Sequence, residues 1–165
     1  MGKVIFLDID GVLNSNFWNG DDQKEISGGT LIDSEKVALL AALAHENDAD
    51  IILHSGWRFW FDEKMNPLRP EARRLSDMLA KEKLAIAGVT PDLTTEEIRR
   101  TRKFSLVKAD EILLWLKKNE DVSGWVVLDD LDLHNIQIEK HQVRTDQSVG
   151  LTAQDVERAG EILKI

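Results

Sequence analysis

The chain has 165 residues, no cysteine and a formal net charge of −9, a length that suits one ordinary domain with a sizeable core. Disulfides and thiol catalysis are excluded, and the acidic balance argues against non-specific nucleic-acid binding by the whole surface. Asp8 interrupts the first apolar run, and no run of about eighteen uncharged apolar residues occurs. Neither a signal peptide nor a membrane span is therefore expected, and the expected compartment is cytoplasmic.

In chain order, Val4-Ile5-Phe6-Leu7 reads as a strand buried on both faces, because apolar β-formers follow one another without alternation. It ends in Asp8-Ile9-Asp10, where Gly11 gives the backbone freedom for a tight exit. Residues 15–29 are polar and glycine-dotted, with Phe17 and Trp18 as their large apolar groups, and read as a loop or small flap. Asp33-Ser34 caps a helix to about residue 46, with Val37, Leu40, Ala41, Leu43 and Ala44 at helical spacing. Residues 50–54 form the second strand. Strand, helix and strand at this spacing make a βαβ unit, which implies parallel pairing.

Pro70 opens a helix to about residue 83, and residues 84–87 read as a short third strand. An irregular connection over 88–104 follows, with a short helix begun by the capping box Thr94-Thr95-Glu96-Glu97. Ser105 caps a helix to about residue 119. Residues 124–128 form a fourth strand ending in Asp129-Asp130, residues 142–145 a fifth, and Thr152-Ala153-Gln154-Asp155 opens a last helix to about residue 163. Strands interleaved with helices predict a three-layer α/β sandwich around a mainly parallel Rossmann-like sheet.

Leu7-Asp8-Ile9-Asp10-Gly11-Val12-Leu13-Asn14 resembles the first motif of the haloacid dehalogenase-like (HAD) hydrolases, a hydrophobic strand followed by Asp-x-Asp-Gly-Val. Leu53-His54-Ser55-Gly56-Trp57-Arg58 is similar to the second motif, and Val126-Val127-Leu128-Asp129-Asp130 to the fourth. The closer likeness is to small, nearly capless HAD domains, including those of bacterial RNA-repair proteins. It covers residues 4–163 and implies one HAD-like domain with strand order 3-2-1-4-5, no large cap and Mg²⁺-dependent phosphatase activity. Asp8 then corresponds to the nucleophile, Asp10 to a general acid/base and Ser55 to a holder of phosphate oxygen. The third motif is a Lys or Arg of loose spacing. Lys108 is the choice, since a cation in the first turn of a helix opposes the dipole and invites a functional reason; Arg102 and Lys103 are the alternatives.

Asp8, Asp10, Asp129 and Asp130 gathered at one sheet edge repel one another unless a cation neutralises them. All-oxygen donors with no cysteine and no clustered histidine favour a hard ion such as Mg²⁺. His45, His54, His134 and His141 are scattered and receive no role. After Ser55, the run Gly56-Trp57-Arg58-Phe59-Trp60-Phe61 sets aromatics and an arginine near the crevice. It reads either as a set that stacks a base and holds phosphate, or as a core plug carrying one solvated charge. Residues 58–108 hold 12 Lys/Arg against 8 Asp/Glu, which is either ordinary helix-surface charge or a substrate-facing patch.

The expected function is a phosphatase working through an aspartyl-phosphate on a nucleotide or a phosphorylated nucleic-acid end. A small phosphorylated metabolite is the alternative substrate, and a catalytically idle HAD-fold binding module an alternative from another class. A receiver-type phospho-accepting domain is disfavoured because no acid follows Ala87 at the end of the third strand. Neither a membrane nor a stable protein partner is expected.

Overall fold

The computed structural model describes residues 2–15 and 32–165, so the flap expected to carry Phe17 and Trp18 lies outside the described residues. Strands β1 (Lys3–Leu7), β2 (Ala49–Leu53), β3 (Ile86–Val89), β4 (Gly124–Asp129) and β5 (Gln142–Arg144) form one sheet in the order β3-β2-β1-β4-β5. Every neighbouring pair is parallel.

Alternation along the central strand explains why its sequence is apolar throughout. Ile5 and Leu7 join the core formed with α1 (Ser34–Asn47), α2 (Pro70–Lys81) and α6 (Ala153–Leu163). Val4 and Phe6 join the opposite core with α4 (Ser105–Lys118) and α5 (Ile136–Glu139). In that second core Phe6 meets Trp115 edge-on at 5.3 Å between ring centroids. Full burial of a side chain this size is worth roughly 1.5–3 kcal/mol, so a polar residue on either face of β1 would be costly.

The register sets the strand ends level. Leu7 pairs with Leu53 on one side and Leu128 on the other, so Asp8, His54 and Asp129 emerge together at the C-terminal edge. Crevices at such edges are where open α/β sheets bind ligands.

Several local expectations shift. The third strand starts two residues late because Leu84 is still taken up by the turn that closes α2. Its N–H donates to Leu79 O, and Lys83 takes a left-handed turn with φ 59°. Gly88, read as loop, lies inside β3, where a Cβ would stand 3.4 Å from the Ile52 side chain. Thr95, not Thr94, caps α3 (Glu96–Thr101) by accepting from the Ile98 N–H. Phe104, not Ser105, is the N-cap of α4 and makes no side-chain cap bond. Helix α5 is a single turn that the sequence pattern does not signal. Among the described residues, no helix is long and apolar enough to cross a membrane.

Candidate active site

Asp8 directly follows β1, Asp129 ends β4 and Asp130 follows it, and each offers a carboxylate oxygen within 4.8 Å of the others. Gly11 makes room for this approach. It takes φ +82°, and a Cβ there would lie 2.6 Å from the Asp130 carboxyl carbon. Thr145 on the far side of β4 ties the turn down by donating its hydroxyl to Gly11 O at 2.7 Å.

Lys108 enters this cluster from α4. Its Nζ lies 2.9 Å from Asp129 Oδ2 and 3.6 Å from Asp8 Oδ1. Burial works against the ammonium charge, yet the carboxylates of Asp8 and Asp129 hold the Lys108 pKa above its ordinary value. Asp8 is raised well above the usual carboxylate range by burial and then by the charge of Asp129, which Lys108 only partly offsets. Burial and the neighbouring Asp129 push Asp130 up to about 6. Three carboxylates against one ammonium leave an excess of negative charge. All-oxygen donors in that state fit a hard divalent cation.

Asp129 differs from its neighbours. It is fully buried, and burial alone would raise its pKa. The hydrogen bond from His54 and the charge of Lys108 instead hold it well below the usual range. Its Oδ2 takes His54 Nε2 at 2.8 Å as well as Lys108, while Oδ1 accepts the Leu131 N–H at 2.9 Å. Both oxygens are thus committed to protein donors. Asp8, Asp10 and Asp130 line the open cavity and Asp129 does not.

Burial lowers the pKa of His54 despite the bond to Asp129, so the ring is neutral. An ionised carboxylate only accepts, which requires the proton on Nε2 and leaves Nδ1 as a bare acceptor. Nδ1 has no hydrogen-bond partner among the described residues. The sequence reading gave His54 no role. The available signal was a titratable residue at the end of an otherwise apolar strand, which must find a partner when buried.

Asp10 stands apart from the three-acid cluster. Its Oδ1 accepts from Asn14 Nδ2 at 3.0 Å and its Oδ2 from Trp57 Nε1 at 3.3 Å, which hold the carboxylate at the cavity's edge. Asn14 also accepts the Gly11 N–H at 2.9 Å, so the last residue of the motif braces the turn and the acid together.

Ser55 is the N-cap of a short 3₁₀ turn, Gly56–Trp60, and its Oγ accepts the Trp57 N–H at 3.1 Å. The hydroxyl proton remains available to a ligand. Ser55, Gly56 and Trp57 all line the cavity beside Asp8.

Of the two readings of the run after Ser55, Trp57 and Arg58 fit the core plug better than the stacking set, with the Arg58 charge paired rather than solvated, although both border the cavity. Trp57 is 3% exposed and packs against Trp60 at 4.8 Å, so only its N–H serves the site. Arg58 Nη1 donates to His54 O and Ser55 O, and Nη2 donates to Glu111 Oε2 at 2.9 Å. Glu111 Oε2 also accepts the Leu93 N–H at 2.9 Å. Arg58 thereby fastens the end of β2 to α4. Lys108, Glu111, Ile112 and Trp115 recur at helical spacing and are all buried, a periodicity that marks Glu111 as inward-facing. The alternatives to Lys108 lie elsewhere. Arg102 and Lys103 are exposed and do not line the cavity.

A parallel sheet whose central strand ends in an acid pair, completed by two further acids from the next strand, is the arrangement of the HAD hydrolases, and this is a hydrolase-type HAD domain. More narrowly, residues 4–156 match the family described as the HAD domain in Swiss Army Knife RNA repair proteins, and the chain belongs to that family. Neither a curated protein nor a solved structure matches it.

Proposed function

We propose that the chain is a Mg²⁺-dependent phosphomonoester hydrolase that forms an aspartyl-phosphate on Asp8, with a nucleotide or a phosphorylated nucleic-acid end as substrate. The observation that carries this reading is the placement of Lys108 between Asp8 and Asp129 in the wall of an open crevice. A lysine there neutralises the nucleophile's surroundings and receives the negative charge of an incoming phosphoryl group. The family's occurrence in RNA repair proteins supports the substrate class.

In this mechanism a carboxylate oxygen of Asp8 attacks phosphorus, the bond to the ester oxygen breaks, and Asp10 gives that oxygen a proton. Asp10, now ionised, takes a proton from water as the water oxygen attacks the phosphorus of the aspartyl-phosphate. Inorganic phosphate leaves and the Asp8 carboxylate is restored. Ser55 donates its free hydroxyl proton to a phosphoryl oxygen, beside the backbone of Gly56. Asp129 serves indirectly by holding Lys108. Asp8 and Asp130, which face the cavity, would hold Mg²⁺, and the ion would relieve carboxylate repulsion and neutralise phosphoryl charge.

The test is phosphate release from p-nitrophenyl phosphate, nucleotides, sugar phosphates and end-phosphorylated oligonucleotides, with Mg²⁺ and with chelator. Acid quenching during turnover of a phosphorus-labelled substrate should leave label on the wild-type chain and none on Asp8→Asn, which should fold normally and release no phosphate. Turnover by a well-folded Asp8→Asn protein, or full activity in excess chelator, would overturn the mechanism. Sugar phosphates outperforming every nucleotide and oligonucleotide would overturn the substrate class.

A further inference from the structure

The cavity of about 580 Å³ that Asp8 lines has two unlike kinds of lining. Carboxylates, Ser55 and Lys108 form one. Apolar side chains, among them Trp60, Phe59, Phe104, Val107 and Leu131, make up the other, and three of these are open to solvent: Phe59 is 55%, Phe104 44% and Leu131 38% exposed. Single exposed apolar residues need no explanation, but a set converging on one cavity marks a ligand surface. The two phenylalanines come from separate segments, the 3₁₀ turn after β2 and the N-cap of α4.

Phe59 is held in place before any ligand arrives. The Arg58 guanidinium lies 4.5 Å from the centroid of the Phe59 ring, and the same guanidinium is anchored to Glu111 and to two carbonyls. One ring face is therefore backed by a fixed cation while more than half of the residue stays open. A surface fixed this way loses little side-chain entropy on binding.

Apolar walls offer no hydrogen-bond partner to the hydroxyls of a sugar or the oxygens of a phosphate. They suit a flat heterocycle attached to the phosphoryl group that Asp8 receives. We propose that Phe59 and Phe104 form the seat for the base of the terminal nucleotide, next to the carboxylate cluster. This inference rests on the phosphatase reading above and assigns base contact to these residues in place of Trp57 and Arg58.

Two properties follow from the lining. The contact assigned here is to ring faces, and Glu111 Oε2, one polar atom of the lining, is already occupied by Arg58 and the Leu93 N–H, so stacking carries the binding. Recognition is sequence-tolerant, with purines favoured by their larger faces. The terminal base must also be unpaired, because pairing and stacking in a duplex keep its faces from the two rings.

The experiment compares oligonucleotides that end in a phosphorylated nucleotide with matched oligonucleotides whose phosphorylated terminal residue is abasic, in both 3′- and 5′-phosphate forms. A stacked base is worth roughly 5- to 150-fold in affinity, so KM should rise by that factor when the terminal base is removed. In the Phe59→Ala/Phe104→Ala double variant the ratio should fall to near unity. Phe59→Tyr/Phe104→Tyr should restore it, because the faces are kept. A wild-type ratio near unity, or a ratio unchanged in the folded double variant, overturns the base seat while leaving the phosphatase intact. If no ester releases phosphate with Mg²⁺ present, the phosphatase reading fails instead. The same base-bearing and abasic pairs are then compared by fluorescence anisotropy binding, where equal or undetectable affinities overturn the seat.

Discussion

His54 Nε2 donates to Asp129 Oδ2 at 2.8 Å with both side chains sealed from solvent, so a neutral imidazole fixes the same carboxylate oxygen that holds Lys108. A hydrogen bond to a charged group contributes about 1.5–3 kcal/mol, and its loss at a buried site leaves the acceptor under-satisfied. His54→Ala should destabilise the fold by about that amount in urea denaturation. It should also lower kcat for phosphate release more than it raises KM, because Lys108 loses its fixed counter-charge. His54→Gln, which keeps a donor at similar reach, should recover most of both losses. Equal kcat in the wild type and a folded His54→Ala protein would remove His54 from any positioning role.

The carboxylate cluster makes a prediction about metal and stability together. Asp130 is crowded by Asp129 and faces the cavity, so Asp130→Asn should raise the metal-free Tm by removing a repelled charge. Mg²⁺ should raise the Tm of the wild type, since an ion that binds the folded site stabilises it by mass action. That increment should be largely absent in Asp130→Asn. Thermal unfolding of both proteins with Mg²⁺ and with chelator reads the two effects separately, and an undiminished Mg²⁺ increment in the variant would assign the ion elsewhere.

The sheet could be read from the sequence because β1 is buried on both faces, and only a central parallel strand demands Val4 through Leu7 without alternation. The convergence of Asp8 with Asp129 and Asp130 was legible because level strand ends place polar residues side by side. The contacts of His54 and Arg58 were not. Each depends on a partner far along the chain, Asp129 and Glu111, and neither separation has a periodic signature. Arg58 beside aromatics looks the same whether its charge meets substrate or a buried acid. The shift of β3 shows a further limit, since the left-handed turn at Lys83 decides where α2 stops and nothing in Leu84-Ala85-Ile86-Ala87 reveals it.

Arg58 and Glu111 form a buried pair at 2.9 Å, and breaking such a pair by removing one partner typically costs about 3–5 kcal/mol because the other charge is left uncompensated. Arg58→Ala should therefore shift the urea midpoint strongly, as should Glu111→Ala. The Arg58→Met/Glu111→Leu double variant should recover much of the stability lost in either single variant, because no lone charge remains. Stability unchanged in Arg58→Ala, with only KM altered, would return Arg58 to a direct phosphate contact.

Gly56 offers the most direct probe of where the phosphoryl group sits. It lines the cavity next to Ser55, and a Cβ built on it would meet nothing within 4 Å. The added methyl therefore has room in the protein and takes up space at the cavity lining that Gly56 shares with Asp8. Its φ is not in the left-handed region, so the backbone accepts alanine without strain. Gly56→Ala should keep the wild-type urea midpoint to within about 0.5 kcal/mol, the usual range for a substitution that disturbs no packing. Activity should fall on every phosphate ester alike, since the methyl obstructs the shared phosphoryl position rather than the base. That pattern separates it from the phenylalanine variants, whose effect depends on the terminal base. A Gly56→Ala protein with unchanged kcat/KM on all substrates would show that the phosphoryl group does not pass this backbone.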